Sequence, residues 1–263
     1  MQTIITSSVD PKSVKHPCFN KESSGSCGRV HLPVAPKCNI QCNYCNRKYD
    51  CVNESRPGVT STLLSPDQAL VYMGKVLEKE PRISVAGIAG PGDPFANAEE
   101  TLETMRLIRK QYPDTILCLS SNGMNVAPHV PELAEIGVSH VTITINAVDP
   151  EITQHIYAWV RDGKVLYRGK QGAELLLARQ LLAIEALKKH GITVKINTIV
   201  IPGINDHHVP VLAAKMKEMG VDLLNCMAMF PNADTAFEHI NEPDKEMMDA
   251  IRVWTRVLEQ VMH

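Results

Sequence analysis

Residues 37–45 read KCNIQCNYC and put Cys38, Cys42 and Cys45 within eight positions, with gaps of three and two. A closed tetrahedral zinc site takes four ligands, and a dithiol redox pair takes two. Three clustered thiols match neither count. Thiolate is the usual protein ligand of iron–sulfur clusters. Three thiolates can hold three irons of a [4Fe–4S] cube and leave the fourth iron open to chelate a small molecule with an amine and a carboxylate. Zinc stays as the alternative on spacing alone.

Six of the eight cysteines (Cys18, Cys27, Cys38, Cys42, Cys45 and Cys51) lie within residues 18–51, and only Cys118 and Cys226 fall elsewhere. No apolar run approaches membrane-spanning length, and the first residues, MQTIITSSVDPKSVKHP, lack a signal-peptide apolar core. A cytoplasmic protein is therefore expected. Thiols stay reduced there, which favours metal ligands or catalysts over disulfides. Lys and Arg number 27 against 29 Asp and Glu, a net charge of -2 with no long run of either sign. That balance predicts no electrostatic hold on nucleic acid or on an anionic membrane. A chain of 263 residues can bury one sizeable core. The expected organisation is a Cys-containing arm over residues 1–27 and one domain over residues 28–263.

Beyond Cys51 the pattern becomes regular. SPDQALVYMGKVLEKE (65–80) opens with a Ser cap and Pro66 and repeats apolar residues at helical spacing. RISVAGIAG (82–90) reads as a buried strand, NAEETLETMRLIRKQY (97–112) as a capped helix, and DTILCLSSNG (114–123) as a second strand. The pair recurs in 127–137 with 139–147, in 172–191 with 192–203, and in 206–220 with 221–230, before a last helix over 243–262. Such alternation implies a parallel sheet. With GRVHLPVA (28–35) as the first strand, the count is about six βα units, fewer than the eight of a full barrel. The fold class is α/β: a partial TIM-like barrel with a Cys-rich N-terminal arm.

Buried parallel strands are normally near-continuous apolar runs. Here one face of several is polar: Thr142, Thr144 and Asn146; Lys195 and Asn197; and Cys118, Ser120 and Asn122. Polar groups are costly to bury without partners. A barrel interior that holds a polar ligand near the strands' C-terminal ends would satisfy them, as would a water-filled or self-satisfied interior.

The C-x-x-x-C-x-x-C spacing, with Tyr44 before the last cysteine and a partial barrel following, resembles the radical S-adenosylmethionine (SAM) superfamily. The resemblance implies that Cys38, Cys42 and Cys45 hold a [4Fe–4S] cluster whose open iron binds SAM, which one electron cleaves to methionine and a 5′-deoxyadenosyl radical. GIAGPGDP (87–94) stands where relatives carry a glycine-rich turn that meets the SAM amino group, so Gly90, Gly92 and Asp93 match by position. Pro91 and Asp93 replace the usual Gly and Glu. Asn122, Asn146 and Asn197 lie where relatives bind ribose and carboxylate, or serve as plain turn and cap asparagines.

The remaining donors narrow the resemblance. Cys18, Cys27, His31 and Cys51 surround the motif in residues 16–58, and AGPGDP, SSNG and TITINAVDP complete the match. Together they resemble the branch of the superfamily that builds the precursor of the nitrogenase active-site cofactor. That resemblance implies three [4Fe–4S] centres. One serves SAM, and two more, held by Cys18, Cys27, His31, Cys51 and Cys118, become the substrate. It also implies methyl transfer from one SAM, radical chemistry from a second, insertion of the carbon as a carbide, and fusion to an eight-iron cluster with an extra sulfide. The expected partners are an iron–sulfur cluster donor, a low-potential electron donor and the cofactor carrier and scaffold proteins of nitrogenase assembly. Many relatives continue into a carrier domain, so a short, stand-alone form is expected.

Two other readings stay open: a radical SAM enzyme with auxiliary clusters acting on peptide or RNA, and a non-catalytic iron–sulfur scaffold. His31 also fits an ordinary strand histidine, and Cys118 an inert strand cysteine. Glu54 and Arg56, in NESRPG, suit a labile iron ligand or proton acceptor and a counter-charge to sulfide, or a solvated loop. AWVRDGKVLYRGKQG (158–172) reads as a long connection forming a lid over the barrel mouth. His207 and His208 read as a helix-cap region. Cys226 and the methionines at 216, 219, 227 and 229 read as core.

Overall fold

The computed structural model describes residues 16, 27–51 and 62–255. Cys18, Glu54 and Arg56 lie outside them. The chain runs β1 (Gly28–His31), β2 (Ile40–Cys42), α1 (Pro66–Lys79), β3 (Ile83–Ile88), α2 (Ala98–Gln111), β4 (Ile116–Ser121), α3 (Val130–Ile136) and β5 (His140–Thr144). It continues through α4 (Pro150–Ile156), β6 (Tyr157–Asp162), β7 (Val165–Tyr167), α5 (Gly169–Lys189), β8 (Thr193–Val200), α6 (Val209–Glu218), β9 (Leu223–Ala228) and α7 (Lys245–Trp254).

Six strands form one parallel sheet in the order β1-β3-β4-β5-β8-β9. These are the six strands expected from the alternation, in chain order across the sheet. Each returns through a helical crossover, as parallel neighbours require. The helix starts follow local chemistry. Ser65 caps α1 through a reciprocal pair: its Oγ accepts from Gln68 N (3.3 Å), and Gln68 Oε1 accepts from Ser65 N (2.9 Å). Asn97 precedes α2 but makes no capping bond. Its amide instead binds Lys37 O (2.9 Å) and Asp93 O (2.8 Å), which ties the cysteine loop to the glycine-rich turn.

The outward face of the sheet is apolar. Leu117, Leu119, Val141, Ile143, Val194, Ile196 and Leu224 are buried with Met105, Ile108, Leu133, Leu187, Leu212 and Met216 from the helices. Each such side chain contributes about 1.5–3 kcal/mol of transfer free energy, an upper value against a compact unfolded chain. Cys226, Met216 and Met229 are buried core residues, and Met219 and Met227 pack partly buried against the core, in line with the sequence expectation.

The inward face carries the polar phase in rows set by register. His31, Gly87, Cys118 and His140 align across four strands. Ser120, Thr142 and Lys195 form the next row, and Thr144, Asn197 and Asn225 the one above, toward the C-terminal ends.

The connection after α4 is different from the expected lid. β6 and β7 form an antiparallel hairpin, and β2 from the cysteine loop adds to it as a third strand, pairing Ile40 with Val160 and Gln41 with Trp159. Gly163 at φ 57 takes the first position of the two-residue turn, where a hairpin needs a left-handed residue. The segment is a clasp on the three-cysteine loop. His207 and His208 close a short 3-10 turn before α6, and His208 Nε2 accepts from Val148 N (3.2 Å). Among the described residues no helix is long and apolar enough to cross a membrane.

Candidate functional site

The loop from Cys38 to Cys45 is held from several directions. Arg161 N donates to Asn39 O, Asn43 N to Ile156 O and Phe237 N to Asn43 O, at 2.8, 2.8 and 3.1 Å. Asn232 Nδ2 donates to Tyr44 O (3.0 Å), and Gln41 Nε2 closes the loop internally on Cys42 O and Cys45 O (3.1 and 2.8 Å). The thiols therefore sit on a fixed mount at the strands' C-terminal ends, where barrels of this kind carry their active sites.

They line a recess together with Tyr44, Arg47, Cys51, Gly92, Asp93, Ser120, Ser121, Asn122 and Thr144. Burial pushes the Cys38 thiol up to about 11, with the Asp93 carboxylate adding to the shift. Burial, then the neighbouring Cys45 and Cys38, raises Cys42 well above the ordinary thiol value, and burial also raises Cys45. Three thiols that resist ionisation alone need a cation to become ligands, so loading with metal releases protons. Among the described residues no three His, Cys, Asp or Glu side chains converge as a single ion requires.

The glycine-rich turn forms the facing wall. Gly92 N donates to Ala35 O (2.6 Å) and Asp93 N to Lys37 O (2.8 Å). A Cβ on Gly92 would lie 2.1 Å from Lys37 O, so only glycine fits. Asp93 is fully buried, and its carboxylate accepts from Asn122 N (2.7 Å), Phe95 N (2.9 Å) and Ser121 Oγ (3.0 and 3.2 Å). Burial raises its pKa while these hydrogen bonds oppose the shift. The carboxylate thus joins the turn to the end of β4. Gly90 lies beside Cys51, with 3.8 Å between a Cβ built on Gly90 and the Cys51 Cβ.

The asparagines have separate settings. Asn122 lines the recess, donating to Asn39 Oδ1 (2.6 Å) and accepting from Met124 N (2.9 Å). Asn146 is committed within the protein: its Nδ2 donates to the hydroxyls of Tyr44 (2.9 Å) and Tyr157 (3.0 Å), and its Oδ1 accepts from Ile199 N (2.9 Å). Asn197 lies in the interior row and accepts from Asn225 Nδ2 (3.1 Å). Tyr44, 1% exposed, also hydrogen-bonds the Cys42 sulfur.

His31 and Cys118 lie away from the recess lining, one row deeper, with Cys118 roughly 6–7 Å from Ser120 along β4. They meet across β3 because Gly87 has no side chain: a Cβ there would be 3.2 Å from Cys118 Sγ and 3.4 Å from His31 Cδ2. Cys27, half-buried, stands just before β1. His16 from the arm is buried with its ring against His140, centroids 4.7 Å apart. Burial first, then His140, Lys195, Arg29 and His31, lower His16 to about 2, so its imidazole is neutral.

Asn39 was passed over in the sequence reading, and Thr144 was read only as part of a polar strand face. Thr144 Oγ1 and Asn39 Nδ2 are buried with no hydrogen-bond partner in the structure. Unsatisfied buried groups of this kind cost about 1–3 kcal/mol each. The Thr144 hydroxyl, on the recess wall, fits a polar occupant such as SAM. Thr144 belongs to the polar phase of its strand, which was the available signal; Asn39 sits between two motif cysteines. His140 shares that phase one step earlier.

The family model for the Radical SAM superfamily matches residues 32–216. The chain belongs to the radical SAM superfamily. Members use a [4Fe–4S] cluster and SAM, and the three-thiol recess has the donors for the first and an unpartnered hydroxyl, that of Thr144, for the second. Solved structures agree in fold: methylornithine synthase (PylB) at TM-score 0.60 and 14% identity, over 88% of this chain and 63% of that one. The FeFe-hydrogenase maturase HydG from Carboxydothermus hydrogenoformans gives 0.61 and 16%, over 89% and 52%. In sequence the chain is 57% identical over 249 residues to the FeMo cofactor biosynthesis protein NifB of Chlorobaculum tepidum, covering 94% of this chain and 59% of that protein. It is 47% identical over 253 residues to the NifB of Klebsiella pneumoniae, covering 94% and 54%. The chain thus spans a little over half the length of these relatives.

Proposed function

We propose that this radical SAM protein builds the iron–sulfur precursor of the nitrogenase active-site cofactor. Two [4Fe–4S] substrate units are fused, with a SAM-derived carbide and an extra sulfide, into an eight-iron product. The observation that carries the reading is the second donor set: His31 and Cys118 face each other across Gly87, one row beneath the three-thiol recess, with Cys51 at the recess itself. A protein that only cleaved SAM would have no use for them. The similarity to the NifB proteins supports the same reading.

Bound SAM and its cluster would supply the methyl carbon and a 5′-deoxyadenosyl radical able to take hydrogen from it. The chain supplies placement. Cys38, Cys42 and Cys45 hold the SAM cluster, while Gly92 lets the glycine-rich turn close on the cysteine loop. Tyr44, Gly90, Asp93, Asn122, Asn146 and Asn197 shape and stiffen the walls around the cofactor. Cys18, Cys27, His31, Cys51 and Cys118 hold the substrate units, and Glu54 and Arg56 serve beside them as proton acceptor and counter-charge. Few ligands per unit leave these clusters able to move and depart. The depth of the second donor set beneath the recess keeps a reactive carbon within direct reach and away from water. The partners are a cluster donor, a low-potential electron donor and carrier proteins that accept the product.

SAM with a deuterated methyl group tests the reading. Deuterium should enter 5′-deoxyadenosine, S-adenosylhomocysteine should form beside it, and a carbon label should end within the extracted cluster. Deoxyadenosine without deuterium, or label only on protein or RNA, would replace this reading with peptide or RNA modification.

A further inference from the structure

A chain of buried hydrogen bonds starts on β8 and ends on a sulfur of the cysteine motif. Asn146, just beyond β5, is fully buried. Ile199 N–H finds its acceptor in Asn146 Oδ1 at 2.9 Å, which fixes the side-chain amide with its two hydrogens on the other side. One donates to the Tyr44 hydroxyl oxygen (2.9 Å) and the other to that of Tyr157 (3.0 Å). Asn205 Nδ2 holds the backbone beneath by donating to Asn146 O and Ile199 O, both at 2.8 Å. The Tyr44 oxygen already accepts from Asn146, so its own hydrogen turns to its other neighbour, the Cys42 sulfur, to which it is hydrogen-bonded. Burial first, then Cys42, raises Tyr44 well above the ordinary phenol value, so the hydroxyl keeps that hydrogen. A cysteine bound to iron is a thiolate and can only accept. Tyr157, the register partner of Cys42 on β6, shares the same amide, but for it Cys42 acts as a nearby charge.

We propose that Tyr44 and Asn146 are positioning residues that raise the reduction potential of the SAM cluster: the Tyr44 hydroxyl, aimed by Asn146, donates a hydrogen bond to the Cys42 thiolate. The reduced cluster carries one more negative charge than the oxidised one, and burial makes that charge costly. A hydrogen bond to a ligand sulfur stabilises the reduced form more than the oxidised form. The electron delivered by an external low-potential donor is then accepted more readily. The inference rests on the assignment of Cys38, Cys42 and Cys45 to the SAM cluster and is independent of what the substrate is.

The test is a redox titration of the full chain, reconstituted anaerobically, with the reduced SAM cluster followed by electron paramagnetic resonance. A non-cleavable SAM analogue, which perturbs only the cluster that binds it, identifies the signal. Tyr44→Phe keeps the ring and removes the hydroxyl. It should make one-electron reduction roughly tenfold less favourable, a downward shift of about 59 mV. Tyr157→Phe breaks a bond to the same amide and should shift the potential far less. Asn146→Leu should lower it too, and combined with Tyr44→Phe should lower it no further than Tyr44→Phe alone, because both act through one bond. If Asn146→Leu fails to load its cluster, the two tyrosine variants decide between them. An unchanged potential in Tyr44→Phe, an equal fall in Tyr157→Phe, or additive falls in the double variant would overturn the inference alone. A wild-type chain whose reduced signal ignores the analogue would instead overturn the SAM-cluster assignment, and this inference with it.

Discussion

The recess at the strand ends and the row beneath it carry candidate metal donors on contrasting mounts. In the recess, three thiols come from one short loop that β6, the end of α4, and residues 232 and 237 all hold in place. In the row, His31 and Cys118 come from two different strands, with a glycine on the strand between them. A local, tied-down set suits a cluster kept through every turnover. A dispersed set with few ligands suits clusters that must shift and leave. On the proposed function, the rigidity of the mount is what separates the resident cluster from the substrate.

If that contrast is real, removing the upper set should leave the lower one loaded. Replacing Cys38, Cys42 and Cys45 together by Ala should abolish SAM cleavage and lower iron from about twelve to about eight per chain. Iron analysis and a 5′-deoxyadenosine assay measure the two effects. Residual 5′-deoxyadenosine from the triple variant would put the SAM cluster elsewhere.

The two glycines sharpen the contrast with a single methyl group each. In Gly92→Ala the added carbon meets Lys37 O at 2.1 Å and Ala35 O at 2.9 Å, both backbone atoms that cannot step aside. A loss on the order of 3 kcal/mol in stability is expected, with SAM binding lost. In Gly87→Ala the carbon meets the ends of two side chains, Cys118 and His31, at 3.2 and 3.4 Å. These can yield by a few tenths of an ångström, so overpacking of about 1 kcal/mol is expected. SAM binding should survive while substrate iron falls. Equal losses of SAM binding and of iron in both variants would erase the distinction between the two mounts.

The periodic part of this molecule was legible in the sequence, and the long-range part was not. Six strands were readable because each is an apolar run bounded by turn residues and followed by a helical repeat. The polar rows were readable because period-2 phase survives in any register. The β6–β7 clasp was missed although RDGKVLY carries a Gly-turn hairpin signal, because its partner β2 lies some 115 residues earlier inside the cysteine motif. Asn97 looked like a helix cap, yet its partners are Lys37 and Asp93, which no local pattern links to it. Pairings of that kind depend on which strands become neighbours.

Thr144 probes the recess more finely. Thr144→Val removes the unpartnered hydroxyl while keeping the shape of the side chain. Without SAM the variant should gain about 1 kcal/mol of stability, a rise of about 2–4 °C in Tm. With SAM it should bind about tenfold more weakly, the loss of one hydrogen bond. Both can be read by calorimetry. A gain in stability with unchanged affinity would mean that the hydroxyl meets no part of the cofactor.

The outer face supplies the smallest test, because it contains a thiol that belongs to neither mount. Burial first raises Cys226 to about 12, with the Thr255 hydroxyl opposing the shift, while Cys38 is raised to about 11 also mainly by burial. Similar shifts from the same cause occur in a core residue and in a proposed ligand, so a raised thiol pKa does not itself mark a metal site. For Cys226 the consequence is a stability effect. The folded thiol holds its proton to about 12, whereas the unfolded thiol releases it near 9.0. Above the unfolded value the unfolded state binds fewer protons, so stability falls as pH rises. The contribution is complete below pH 9 and is lost progressively toward pH 12. Between about pH 8 and about pH 10, the iron-free wild-type chain should lose on the order of 1 kcal/mol more stability than Cys226→Ala. Denaturant titrations of both chains at the two pH values measure the difference, and groups common to both cancel. Parallel losses would show that the Cys226 thiol titrates alike in the folded and unfolded chains, and would remove the outer face as the baseline against which the two mounts are compared.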